Sequence, residues 1–286
     1  MKSESFRGNV PIQEIMDQNI FLSGISIYPI KSMSSIALDT ANVEQRGLQH
    51  DRRWMLIDEN NNCITQREHP SMARIAVGLE SDGLTVSSQG TETLFIPFSL
   101  GKPNPIKVQI FRNVCDAVVA GNNINQWFSD FLGTSCKLVY MPDDSRRAVN
   151  PNYAVKDDIV SFADGYPFLL IGNTSLDELN NRLDQLLPMN RFRPNLVITG
   201  ANAFGEDNWK MIRIGETVFH VVKPCDRCSL TTIEQETGMR AGKEPLKTLA
   251  TFCMEDNDVF FGQYLIADDN GVVRVGDKVE IIEYKN

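Results

Sequence analysis

From Phe21 onward, short β-type runs separated by turn signals recur about every ten residues, and this spacing constrains the fold more than any other feature. Residues 25–30 alternate and then stop at Lys31-Ser32, while Trp54-Met55-Leu56-Ile57 closes on the hairpin-type stretch Asp58-Glu59-Asn60-Asn61-Asn62. Residues 63–65, 75–79, 84–86, 93–96, 106–110 and 115–119 continue the series, broken by Asp82-Gly83 and Ser87-Ser88-Gln89-Gly90. Later runs at 195–199, 211–214, 218–222, 272–275 and 279–282 read as strands too. Many short strands with regular turns close into barrels or sandwiches, so the chain is expected to be mostly β with a few helices. One helix is predicted over 123–132, where Ile124, Trp127, Phe128 and Phe131 share a face. A second is predicted to open at Thr174, capped by Asn173 or Thr174, with acids in its first turns and an end by Pro188.

The chain has 286 residues, enough for two domains of ordinary size. The polar stretch 143–158, with Pro142 and Pro151 nearby, is the candidate boundary. The expected division is a polar tail over 1–19, a β-rich domain over 20–145 and a second β-rich domain over 146–286. A hydrophobic content of 42% and a charged content of 23% are those of a soluble globular protein. The formal net charge of -9 repels phosphate backbones and disfavours nucleic acid as a partner. Residues 1–20 hold no apolar run of the signal-peptide kind, and no run reaches the ~18 apolar residues that span a membrane. A cytoplasmic protein without a membrane partner is expected.

The stretch Val222-Lys223-Pro224-Cys225-Asp226-Arg227-Cys228-Ser229 places two thiols three residues apart with an arginine between them. A nearby cation favours thiolate, the form that binds metals and attacks electrophiles, and soft sulfur suits zinc, copper, iron–sulfur clusters or another thiophilic metal. Structural zinc needs further ligands, yet Cys63, Cys115, Cys136 and Cys253 are isolated and His50, His69 and His220 have no ligand spacing. A redox dithiol should open a helix, whereas Ser229-Leu230-Thr231-Thr232-Ile233 is rich in β-branched residues. A structural disulfide does not suit a cytosolic chain. Cations stand at strand ends elsewhere: Lys31 beside Ser32, Arg52 and Arg53, Arg67, and Arg193 near Asn195. Arginine and lysine bind phosphate well, but 37 acidic residues also offer each cation an ion-pair partner.

Taken in order, the motifs resemble those of the MOSC family, named for the C-terminal domain of molybdenum-cofactor sulfurase. They are Tyr28-Pro29-Ile30-Lys31-Ser32, Asp51-Arg52-Arg53-Trp54-Met55, Thr65-Gln66-Arg67, Ser161-Phe162-Ala163-Asp164-Gly165-Tyr166-Pro167, Arg191-Phe192-Arg193-Pro194-Asn195, Cys225-Asp226-Arg227-Cys228, Lys243-Glu244-Pro245-Leu246-Lys247-Thr248-Leu249 and Phe261-Gly262-Gln263-Tyr264. The resemblance runs from about Phe21 to Glu283 and is closest to bacterial MOSC reductases and the mitochondrial amidoxime-reducing components.

The resemblance implies a MOSC N-terminal β-rich domain packed on a MOSC β-barrel, with a molybdopterin between them. It implies that Cys228 is the molybdenum ligand and that Lys31, Ser32, Arg52, Arg193, Asn195, Asp226, Arg227 and Tyr264 hold the pterin and its phosphate. Relatives often carry serine where this chain has Asp226, whose carboxylate would repel a phosphate and is expected to point away. Cys225 reads as a buried thiol, and Asp164 is the candidate proton donor. The implied reaction is two-electron reduction of N-hydroxylated purines, hydroxylamines and amidoximes. The alternative is a molybdenum-cofactor carrier or sulfur-handling module without turnover. No Gly-x-Gly-x-x-Gly fingerprint or cysteine cluster occurs, so no flavin, haem or iron–sulfur cluster is expected in these residues. Electrons are expected from a separate flavoprotein reductase, with or without a ferredoxin-like protein, or from a segment beyond this sequence.

Overall fold

A computed structural model describes residues 19–101 and 104–285, so the tail expected over 1–19 lies, except for Asn19, outside the described residues. The largest sheet has nine strands. From one edge its main path runs Val279–Tyr284, Trp209–Ile214, Thr217–Asp226, Asp258–Ala267, Phe168–Gly172, Leu196–Thr199, Phe21–Ile27 and Ile36–Leu38. Only Phe168–Gly172 and Leu196–Thr199 pair in parallel; the other neighbours are antiparallel. Backbone bonds from Leu22 to Asp277, Gly276 to Leu22 and Val279 to Ile20 bring the last strand against the first, curling the sheet into a barrel-like form. Its interior packs Leu22, Ile25, Ile27, Phe168, Leu170 and Phe219, all buried.

A four-stranded sheet follows the order Trp54–Ile57, Lys137–Tyr140, Asn113–Val119, Pro105–Ile110. Two three-stranded sheets complete the chain. Gly271–Arg274 pairs with Thr40–Glu44, which pairs with Gly47–Leu48, and Ala76–Leu79, Gly83–Ser87 and Leu94–Pro97 form a meander. Residues from the first fifty positions are thereby hydrogen-bonded to strands from the last hundred and twenty. The mostly β expectation holds.

Several strands carry no alternation in the sequence. Phe168–Gly172 is buried at every position, because it lies inside the large sheet with both faces covered. The expected strand at 63–65 reduces to an isolated bridge between Ile57 and Cys63. The first helix, Asn122–Leu132, buries Ile124 and Phe128 and ends at Gly133, whose φ of 67° suits a left-handed cap. The second differs from expectation. It spans Asn173–Asn180, with Gly172 at the N-cap, no side-chain cap and no acid in its first turn. It ends before Pro188, as expected, where the Asn180 amide accepts from Leu187 N–H at 2.8 Å and donates to Leu187 O at 3.1 Å, turning the chain back. The stretch 143–158 forms no regular helix or strand.

Candidate functional site

The ten residues given a cofactor, metal or proton-donor role line one cleft: Lys31, Ser32, Arg52, Asp164, Arg193, Asn195, Asp226, Arg227, Cys228 and Tyr264. The strand-end cation Arg53 does not, turning instead to Met141 O and Asp143. Its volume is about 810 Å³, open mouth included. The contributing segments meet where the first strand of the large sheet gives way to the four-stranded sheet. There Lys31 N–H donates to Trp54 O at 2.8 Å and Arg52 N–H to Tyr28 O at 2.9 Å.

Tyr28 organises the cationic wall. Its buried ring lies 4.1 Å from the guanidinium carbons of both Arg52 and Arg193, a cation–π arrangement that holds two like charges close together. Its hydroxyl donates to Pro194 O at 3.2 Å and its amide to Asp51 Oδ1 at 2.8 Å. Arg52 donates to Asp51 at 2.7 Å and to Asn195 Oδ1 at 3.0 Å, and Asn195 anchors to Ser26 O. Arg193 donates to Met33 O at 2.8 Å. Burial, opposed by Tyr28 and reinforced by the Arg52 charge, lowers the Arg193 pKa to about 10, still protonated at neutral pH. Ser32, Arg52 and Arg193 have φ of 67°, 47° and 57°, a backbone region that side chains rarely adopt. Three such residues on one cleft mark a place where the fold supports local strain to aim particular groups.

The two thiols of the Cys-x-x-Cys lie in different surroundings. Cys225 is the penultimate residue of strand Thr217–Asp226, is 2% exposed and hydrogen-bonded with Tyr264, and its pKa is raised by burial. This agrees with the buried-thiol reading. Cys228 lies past the strand end and is exposed in the cleft. A single 3-10 turn, Ser229–Thr232, follows it, shorter than the helix a redox dithiol uses. Among the described residues no three His, Cys, Asp or Glu side chains gather to hold a metal ion. Arg227 is fixed by donation to Phe261 O at 2.8 Å and Phe192 O at 2.9 Å. Tyr264 stacks on Tyr166 at 4.6 Å.

Asp164 does not suit the proton-donor role expected for it. It is ion-paired with Lys31. Desolvation by the surrounding cleft pushes its pKa up although about half of the side chain reaches water, but the charge and hydrogen bond of Lys31, with Arg52 and Arg67 behind it, pull the carboxyl below the usual carboxylate range. A group held ionised in this way has no proton to give near neutral pH. The Asp226 carboxylate is paired with Lys223 at 2.6 Å, which neutralises the repulsion it would exert on an anion.

Sequence reasoning missed part of the lining. Arg191 is 3% exposed, donates through Nε to Thr231 O at 2.8 Å, and keeps a buried Nη2 with no partner. Thr65, Phe192 and Tyr166 also face the cleft. Their motifs were visible, but only the fold shows which members point inward. The lining sets six cations, Lys31, Arg52, Arg67, Arg191, Arg193 and Arg227, against Asp164 and Asp226. In a chain of net charge -9, that is a local reversal of sign suited to a bound anion.

Comparison with known proteins adds the following. A family model described as the MOSC N-terminal beta barrel domain matches residues 20–135, and one described as the MOSC domain matches residues 157–280. The Mus musculus protein named mitochondrial amidoxime-reducing component 1 is 34% identical over 274 residues, covering 90% of this chain and 80% of its own length. The Homo sapiens protein of the same name is 31% identical, with coverage of 90% and 81%. The molybdenum cofactor sulfurase of Arabidopsis thaliana is 32% identical over 86% of this chain, which spans 33% of that protein.

Proposed function

Because the chain belongs to the MOSC family and carries both of its domains, we propose that the cleft holds a molybdenum–pterin cofactor and that the protein reduces N-hydroxylated compounds. The net reaction is R–NHOH + 2 e⁻ + 2 H⁺ → R–NH₂ + H₂O. The observation that carries this reading is one exposed thiol, Cys228, opening onto a cationic cleft.

The residues fit such a group at both ends. Cys228 offers a soft sulfur ligand, and among the described residues no group of three His, Cys, Asp or Glu side chains forms a protein-only metal site. Lys31, Ser32, Arg52, Arg193 and Asn195 offer charge-assisted donors for a phosphate. The free Nη2 of Arg191 is a buried donor still lacking an acceptor. Arg227 and Tyr264 wall the pterin between these ends, and Asp226, neutralised by Lys223, contributes backbone. A molybdenum centre bound at Cys228 supplies the two-electron chemistry, while the protein positions it and the substrate. Asp164 orients Lys31 through their ion pair. Substrates in this reading are N-hydroxylated purines, hydroxylamines and amidoximes, and electrons come from a separate flavoprotein reductase, with or without a ferredoxin-like carrier. The likeness to the plant sulfurase favours, second, a cofactor carrier without turnover.

Turnover separates the two readings. Cofactor-loaded protein supplied with an artificial low-potential donor should reduce a hydroxylamine, and NADPH alone should not drive the reaction. Cys228→Ser should abolish turnover, whereas Cys225→Ser should retain most of it. Loaded wild-type protein that leaves every N–OH compound intact points to the carrier.

A further inference from the structure

Asp164 and Tyr166 line a second cavity as well as the cationic cleft, so the two spaces adjoin at these side chains. Arg147 stiffens that boundary by donating to Ser161 O at 2.8 Å and to Ala163 O at 2.6 Å. On its other side the second cavity is bounded by Phe111, at the tip of the hairpin that joins Pro105–Ile110 to Asn113–Val119.

Phe111 is an unexpected residue for this position. Its φ is 52°, where a two-residue hairpin turn favours glycine or asparagine. Its ring is 45% exposed, so burial does not explain it. The ring instead engages the cleft: Lys31 Nζ lies 5.4 Å and the Arg67 guanidinium carbon 5.5 Å from its centroid, and both cations line the site. An aromatic residue kept in disfavoured backbone, half open to water and fastened to two site cations, points to a ligand.

We propose that Phe111 is a specificity-determining residue. The cavity it borders is the vestibule to the cleft, and its ring stacks the planar aromatic body of neutral N-hydroxylated substrates. This assignment rests on the reductase reading above. The vestibule sets Arg112 and Arg147 against the single carboxylate of Asp164, and Lys31 and Arg67 line the adjoining cleft, which disfavours cationic ligands. A neutral amidoxime is therefore admitted, and the amidinium formed by its reduction is repelled.

Benzamidoxime and acetamidoxime test this, since they share the reacting group and differ by the ring. Phe111→Gly suits the positive φ and should unfold no earlier than wild type. In that variant KM for benzamidoxime should rise roughly tenfold, with kcat and the acetamidoxime KM unchanged, while Phe111→Tyr should match wild type. Without an electron donor, NMR titration should show the same loss of benzamidoxime affinity. Equal shifts for both oximes, or none, overturn the assignment. If both oximes are reduced and the preference for the ring survives in Phe111→Gly, Phe111 is wrongly assigned and the reductase reading stands. If neither is reduced but benzamidoxime binds in a Phe111-dependent way, the stacking site stands and the reductase reading fails.

Discussion

Arg193 joins burial, strained backbone and stacking on Tyr28 in one residue, and the proposed phosphate site depends on it. Arg193→Ala removes a charge-assisted donor, worth roughly 1.5–3 kcal/mol. Pterin retained through gel filtration should fall sharply, and undiminished retention would make Arg193 a structural residue only. Asp164 gives a test with a defined sign. Its folded pKa lies below the unfolded value of about 4, so the folded state binds fewer protons. The pairing with Lys31 therefore stabilises fully above that value and is lost as pH falls through the folded pKa. Since the side chain is 54% exposed, the effect is modest. Thermal unfolding followed from pH 7 down to about pH 2 should show wild type losing more stability below pH 4 than Asp164→Asn. At neutral pH the cofactor-loaded variant should keep N–OH turnover, and abolition at undiminished cofactor content would restore Asp164 as the proton donor. The motifs around these residues were legible in the sequence, but their convergence was not. Lys31 meets Asp164 across 133 positions and Tyr28 meets Pro194 across 166, distances over which no local pattern carries information.

Elements were legible where one face meets water, or where a turn signal closes a buried run, as Asp58-Glu59-Asn60-Asn61-Asn62 closes Trp54–Ile57. Pro105–Ile110 and Asn113–Val119 alternate and were found, whereas Phe168–Gly172 is apolar and buried throughout and gave no period. Helix Asn173–Asn180 was found, and ends before Pro188 as expected, but with the wrong cap: Gly172, not Asn173 or Thr174, holds the N-cap, where no side-chain hydrogen bond marks the start. The strand Asp258–Ala267 carries a prediction of its own. Gly262 has φ of 80°, and a Cβ there would meet Ile171 Cγ1 at 2.6 Å and Leu170 O at 2.7 Å. The next residue back, Phe261, supplies the carbonyl that fixes Arg227. Gly262→Ala should destabilise by about 1–3 kcal/mol or more in urea denaturation, from disfavoured backbone and overpacking together. It should also loosen Arg227 and lower pterin retention; wild-type values for both would show that the strand junction tolerates movement.

At the scale of the molecule, the acidic chain encloses a cationic cleft, built where strands from the first fifty residues enter a sheet made mostly from the last hundred and twenty. The β class and the thiol pair were readable from the sequence; the reversal of charge sign inside the cleft needed the fold. The acidic exterior favours a donor with a basic docking face, whose encounter weakens as salt screens it. Among the described residues no helix is long and apolar enough to cross a membrane. In the proposed function, Cys228 and the cationic wall hold a molybdenum–pterin group. Metal analysis with pterin fluorescence, on wild type and Cys228→Ser purified from a host that makes molybdopterin, tests that assignment. Equimolar molybdenum and pterin are expected in wild type, and loss of molybdenum in Cys228→Ser. Zinc without pterin in wild type, or full molybdenum in the variant, would contradict it.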